Sequence, residues 1–179
     1  MKKNLIILIA GLPGVGKTSI ADKIADFYSV NGANPLRIDI DDIKREVVPM
    51  DQLSSGIDSD EVRGSYYKLA TKRASESLNG NFDVIIMEEV FHKKHLRKDI
   101  ETVASSSGFE VLWIHVTCPY ETVESRLLEK NRAISGHILD TSTALRMNLE
   151  FAEMFEDFNN NFIEIKNTKK IFITKKMFL

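Results

Sequence analysis

The chain has 179 residues, 43% hydrophobic and 28% charged; 26 acidic side chains nearly cancel 24 basic ones, leaving a net charge of −2. That length fits one ordinary α/β domain with a full core. The balance gives no broad basic face for duplex DNA, so nucleic acid is not the favoured partner, although a short groove for a strand end is compatible with it.

Lys2 and Lys3 precede an apolar run from Leu5 to Ala10. A secretory signal starts in the same way, but this run is short and passes straight into a glycine loop. It reads as a buried strand. No stretch approaches the ~20 apolar residues of a membrane span. The lone cysteine, Cys118, forms no internal disulfide and fits a reducing cytosol. Flanked by an apolar strand and Pro119, it reads as a small buried hydrophobe.

The run ends in Gly11-Leu12-Pro13-Gly14-Val15-Gly16-Lys17-Thr18, followed by Ser19. This is the G-x-x-x-x-G-K-[ST] pattern of a phosphate-binding loop. Glycine lets backbone N–H groups wrap phosphate oxygens at close range. The following helix turns the positive end of its dipole toward them. Lys17 supplies a cation for the β- and γ-phosphates of ATP, and Thr18 a hydroxyl for Mg²⁺. Ile20, Ala21, Ile24, Ala25 and Tyr28 recur at helical spacing and predict that helix.

Further along, Leu36 to Ile40, Val84 to Met87 and Val111 to Val116 are strand-length apolar runs, with a weaker one at Phe162 to Ile165. Helices are predicted over 58–78, 92–107, 119–131 and 141–157. Continuous apolar runs suit parallel strands covered on both faces, and the alternation of elements predicts a doubly wound, five-stranded parallel sheet flanked by helices. The whole chain, 1–179, is expected to form one domain. The basic, apolar tail from Lys166 to Leu179 reads equally as a last strand, a partner contact or a partly disordered end.

Two acidic clusters fall at strand ends beside the loop, where such folds place ligands. In Asp39-Ile40-Asp41-Asp42, Asp41 is the choice for a base toward an acceptor hydroxyl, with Asp41 or Asp42 as the alternative N-cap. Lys44 and Arg45 follow as acceptor contacts. In Glu88-Glu89, alternation lets one side chain face the site. Glu88 is the choice, as a ligand to Mg²⁺ through water or to the acceptor, and Glu89 reads equally as a site residue or as a solvated or capping carboxylate. Arg126, Arg132 and a polar loop at about 130–142 form a candidate lid that neutralises charge and excludes water, with Arg146 in reserve. Arg63, Tyr66, Tyr67, Lys68 and Arg97 are candidate acceptor contacts. His92, His95 and His137 show no zinc-ligand spacing with cysteine.

No Asn-Lys-x-Asp base-reading motif of a GTP switch is present. The pattern from about residue 4 to 158 resembles the small P-loop kinases labelled "AAA domain" or "predicted kinase", similar to polynucleotide kinase, chloramphenicol phosphotransferase, gluconate kinase and the zeta toxins. The resemblance rests on Gly11 to Thr18, the Asp41-Asp42 turn, the strand ending at Glu88, Cys118-Pro119 with Glu121, and Arg126 with Arg132. It implies a P-loop NTPase fold, ATP and Mg²⁺ as cofactors, Asp41 as general base, and Lys17, Arg126 and Arg132 on the phosphates. Glu88 stands where such families commonly carry aspartate. A phosphotransferase acting on a small hydroxyl compound follows. A 5′-hydroxyl polynucleotide kinase and a non-catalytic nucleotide-binding module are the alternatives.

Overall fold

The computed structural model describes residues 4–49, 56–77, 82–129, 140–159, 161–168 and 173–174. Its elements follow in chain order: β1 Asn4–Ala10, α1 Lys17–Val30, β2 Pro35–Asp39, α2 Ile40–Val47, α3 Asp60–Ser77, β3 Val84–Glu89, α4 Lys94–Ser106, β4 Phe109–Thr117, α5 Tyr120–Glu129, α6 Thr141–Met154 and β5 Phe162–Lys166. The five strands form one sheet in the order β2-β3-β1-β4-β5, and every pairing is parallel. The doubly wound sheet expected from the sequence is therefore present.

Strand alternation builds two cores. On β1, Ile6, Leu8 and Ala10 face α2, α3 and α4, whereas Ile7 and Ile9 face α1, α5 and α6. Both sets are fully buried, which is why the strand reads as an unbroken apolar run. The chain crosses from one side of β1 to the other between β3 and β4. The carboxyl ends of β1 and its neighbours thus define the crevice where ligands bind in open α/β sheets.

One boundary differs from the expectation in an informative way. Ile40 is the first residue of α2 and not the last of β2. Asp39 ends the strand because its carboxylate accepts a hydrogen bond from the Asp41 backbone N–H at 2.9 Å and caps the helix. A strained link follows β3. Phe91 adopts φ 49°, a left-handed backbone that bulky residues seldom take. Its ring is fully buried between Tyr67 and Trp113, with centroids 5.0 and 5.2 Å away, and this packing holds the turn.

Candidate active site

The loop from Gly11 to Gly16 joins β1 to α1. Gly16 sits at the N-cap of α1 with φ 94°, and no side chain caps that helix end. The first-turn N–H groups, Thr18 and Ser19 among them, are therefore available to an anion. A Cβ at Gly16 would lie 2.3 Å from Asn167 Nδ2, so glycine is required there twice over, by backbone and by space. The Lys17 ammonium donates to the carbonyls of Gly11 at 2.9 Å and Leu12 at 3.2 Å, which folds it over the loop.

Two distant asparagines fix the outer side of the loop. Asn148, on the buried face of α6, donates to the Pro13 carbonyl at 2.6 Å. Asn167, just after β5, donates to the Val15 carbonyl at 2.7 Å. These bonds satisfy carbonyls that the tight loop leaves without helix partners. Sequence reasoning missed both. Asn148 left a signal, because it is the polar member of the buried stripe Ala144, Met147, Asn148, Phe151. Asn167 left none.

The acidic clusters meet beside Lys17. With Asp39 as the cap, Asp41 is released from that role and lies half-buried in the first turn of α2. Burial, with the charges of Glu89 and Asp39, pushes its carboxyl up to about 7, against the pull of Lys17 and Lys44. Asp42 is exposed and paired with Arg45, which is exposed as well. Lys44 is buried and bonded to Asp58 at 2.6 Å.

Glu88 and Glu89 are both buried and do different things. Glu88 is paired with Arg37 of β2 and bonded by the Thr18 hydroxyl. Burial lifts its pKa, and Arg37, the Thr18 hydroxyl and Lys17 oppose the rise. Glu89 accepts from Arg63 Nη1 at 2.5 Å. Its burial disfavours the charge, but Arg63 and Lys17 outweigh it and hold the carboxyl below the usual range. The solvated reading of Glu89 is corrected here: it is an ionised carboxylate buried between the phosphate loop and α3. Alternation does send the two side chains apart, yet both destinations belong to the site.

Arg97 is buried and donates to the carbonyls of Phe91 at 2.6 Å, Glu156 at 2.7 Å and Asp157 at 2.9 Å. Its guanidinium lies 4.3 Å from the Phe158 ring centroid. These bonds brace the strained Phe91 turn against the end of α6. Arg126 donates to the Asn167 carbonyl at 2.8 Å and lies 3.5 Å from Cys118 Sγ, so it stands at the β4–β5 end of the crevice. Arg146 pairs with Glu150 at 2.7 Å on an exposed helix face. Tyr66 and Tyr67 are buried, and Lys68 is exposed. Arg132, His137 and residues 130–139 of the expected lid lie outside the described residues. Asp140 caps α6 by accepting from the Thr143 N–H at 2.7 Å.

Among the described residues no cluster of histidine, cysteine and acidic side chains has the makings of a metal centre, and no helix is long and apolar enough to cross a membrane. The oxygen donors of Thr18 and Glu88, held against each other, nonetheless suit a hard cation such as Mg²⁺ arriving with phosphates.

The stretch that carries this glycine loop and these strands, residues 6–153, matches the family described as AAA domain. The chain belongs to that family. This AAA-domain protein also superposes on solved kinases. The APS kinase of Mycobacterium tuberculosis, solved with AMPPNP and APS, is 16% identical with a TM-score of 0.66, covering 95% of this chain and 92% of that one. A gluconokinase from Sinorhizobium meliloti is 18% identical with a TM-score of 0.62, covering 95% and 86%. A sugar kinase from Janibacter is 18% identical with a TM-score of 0.64, covering 91% and 84%. At these identities the likeness establishes the fold, that of a P-loop kinase. No curated protein matches the sequence.

Proposed function

We propose that the protein is an ATP-dependent phosphotransferase that moves the γ-phosphoryl group of ATP onto a hydroxyl of a small acceptor. The observation that carries this reading is Asp41. A carboxyl brought up to about 7 beside the phosphate-loop lysine has the affinity of a general base near neutral pH. A protein that only bound nucleotide would have no use for it.

In this reading the N–H groups of Gly14 to Ser19 hold the phosphates, and Lys17 leaves the carbonyls of Gly11 and Leu12 to bridge the β- and γ-phosphates. Thr18 and Glu88 would hold Mg²⁺, which would neutralise phosphate charge. Asp41 accepts the acceptor's hydroxyl proton. The freed oxygen forms a bond to the γ-phosphorus, the bond from that phosphorus to the bridging oxygen breaks, and ADP leaves. Lys44 and Arg45 stand next to Asp41 on α2. Arg126 and Arg132 are the lid cations, and 1–179 works as one domain with its lid at about 130–142. Arg97 serves the acceptor indirectly, through the Phe91 turn.

The test is transfer of labelled phosphate from ATP–Mg²⁺ to a panel of hydroxyl metabolites, nucleosides and a 5′-hydroxyl oligonucleotide. One acceptor should be labelled, with loss of labelling in Lys17→Ala and a fall of about 10²- to 10⁴-fold in Asp41→Asn. Full-rate transfer by Asp41→Asn would sink the base assignment.

A further inference from the structure

Resting on the phosphotransferase reading, we infer that the acceptor is an uncharged or amine-bearing polyhydroxyl compound, and not a phosphorylated, sulfated or carboxylated one. The juxtaposition behind this is the set Arg63–Glu89, Lys44–Asp58, Tyr67 and His92, which meets Asp41 through Glu89 and Lys44.

The cations come first. A site for an anionic acceptor keeps an arginine or lysine ready to pair with it. Among the described residues, the buried cations on the acceptor side are Lys44 and Arg63. Each is closed by a carboxylate: Lys44 by Asp58 at 2.6 Å, and Arg63 by Glu89 at 2.5 Å. Asp41 and Asp60 add two more carboxylates: Asp41 faces Lys17, the cation of the phosphate loop, and Asp60 lies 3.3 Å from His95. The local sign is negative, and an acceptor anion would enter against it.

The cluster nevertheless has hydrogen-bonding capacity to spare. The Tyr67 hydroxyl, Arg63 Nε and His92 Nδ1 are buried atoms; the hydroxyl has the Arg63 guanidinium beside it, and the two nitrogens have no hydrogen-bond partner. Their residues are 3%, 6% and 1% exposed. Such atoms are costly unless something meets them. Between them they can donate and accept, because burial and the neighbouring Arg63 charge hold His92 neutral, down to about 4. Mixed donors and acceptors suit hydroxyl groups, which do both. Carboxylates nearby suit hydroxyls or an ammonium and repel a phosphate.

The same atoms lie at the reacting end of the molecule. Phe151 packs on two of the three residues, with its ring centroid 4.7 Å from the Arg63 guanidinium and 5.0 Å from the His92 ring. One turn earlier on α6, Asn148 holds the phosphate loop at Pro13. Glu89 feels both Lys17 and Arg63. A groove of about 240 Å³ between α3 and α4 reaches Asp60 and Tyr67, and its other charged walls include Glu61 and Asp99 against Lys68. It extends the same negative sign outward.

The experiment measures binding and transfer separately on the full chain. Calorimetric titrations use glucosamine, glucose and gluconate, which share a six-carbon skeleton and differ in charge, and adenosine with adenosine 3′-monophosphate. Within a series, the amine-bearing or neutral member is expected to bind at least about tenfold more tightly than the anionic one. Glu89→Gln frees Arg63, and Asp58→Asn frees Lys44. Each should narrow or reverse that ratio, and the Asp58 variant carries the test if the Glu89 variant does not fold. Equal or tighter binding of the anionic members, no binding by any neutral or amine-bearing member, or an unchanged ratio in the folded variants overturns the inference. A compound that binds with the expected charge preference yet receives no phosphate from ATP leaves it standing and removes the phosphotransferase reading instead.

Discussion

Replacing Asp41 by asparagine should make the protein more stable as it makes it less active. The carboxyl rises from 3.8 to about 7 on folding. The folded state therefore binds that proton more tightly than the unfolded chain does. Below about pH 4 both states hold the proton and the carboxyl costs nothing. Above about pH 7 both have lost it, and the folded state carries a charge it disfavours. At about 1.4 kcal/mol per pH unit, the full cost approaches ~4 kcal/mol. The neighbours Glu89 and Asp39 share the titration, and asparagine loses the attractions to Lys17 and Lys44, so a gain of about 1–3 kcal/mol at pH 8 is expected. For a chain of this size that is a rise of roughly 3–10 °C in Tm. Calorimetric melts of both proteins at pH 5 and pH 8 check it: the gain should be present at pH 8 and shrink toward pH 5. A variant no more stable at pH 8 than the parent, or displaced equally at both pH values, would refute a strained carboxylate and with it the account of Asp41 as a tuned base.

Other outcomes can be stated with equal definiteness. The pH profile of kcat/KM should rise through about 7 as Asp41 ionises, and in Glu89→Gln the rise should move to lower pH, because a like charge is gone and Arg63 is freed. Asn148→Ala leaves the Pro13 carbonyl unmet, which should cost about 1–3 kcal/mol by denaturant unfolding and weaken ATP binding. Gly16→Ala meets both the positive φ and the Asn167 amide, at a strain of about 1–3 kcal/mol, and should abolish binding of a fluorescent ATP analogue.

The parts legible in the sequence are those whose cause is local. Buried parallel strands show as continuous apolar runs because both faces of β1 and β3 are covered. The phosphate loop shows because glycine spacing is dictated by backbone geometry. The strand-length run Leu36 to Ile40 overshoots the end of β2 by one residue because Ile40 is apolar enough to extend the strand pattern, while the cap at Asp39 ends it. Glu89 is hard to place from the sequence because strand alternation suggests a single site face, whereas at a strand's carboxyl end both faces border the crevice. Arg97 stands in the sequence as a candidate acceptor contact because its carbonyl partners at Glu156 and Asp157 lie some sixty residues away. No short pattern announces such long-range bonds.

The clamp of Asn148 and Asn167 on the phosphate loop has a consequence for how this protein comes into being. The glycine motif leaves the ribosome well before Asn148 and Asn167 do, because two of the bonds that shape it span 135 and 152 residues of sequence. A nascent chain of a hundred residues carries the whole motif and lacks the struts that hold its carbonyls outward. Nucleotide therefore cannot serve as an early template for folding. It can only reward a chain that has already brought β5 into the sheet, which makes ATP an inspector of the folded domain rather than a nucleus for it.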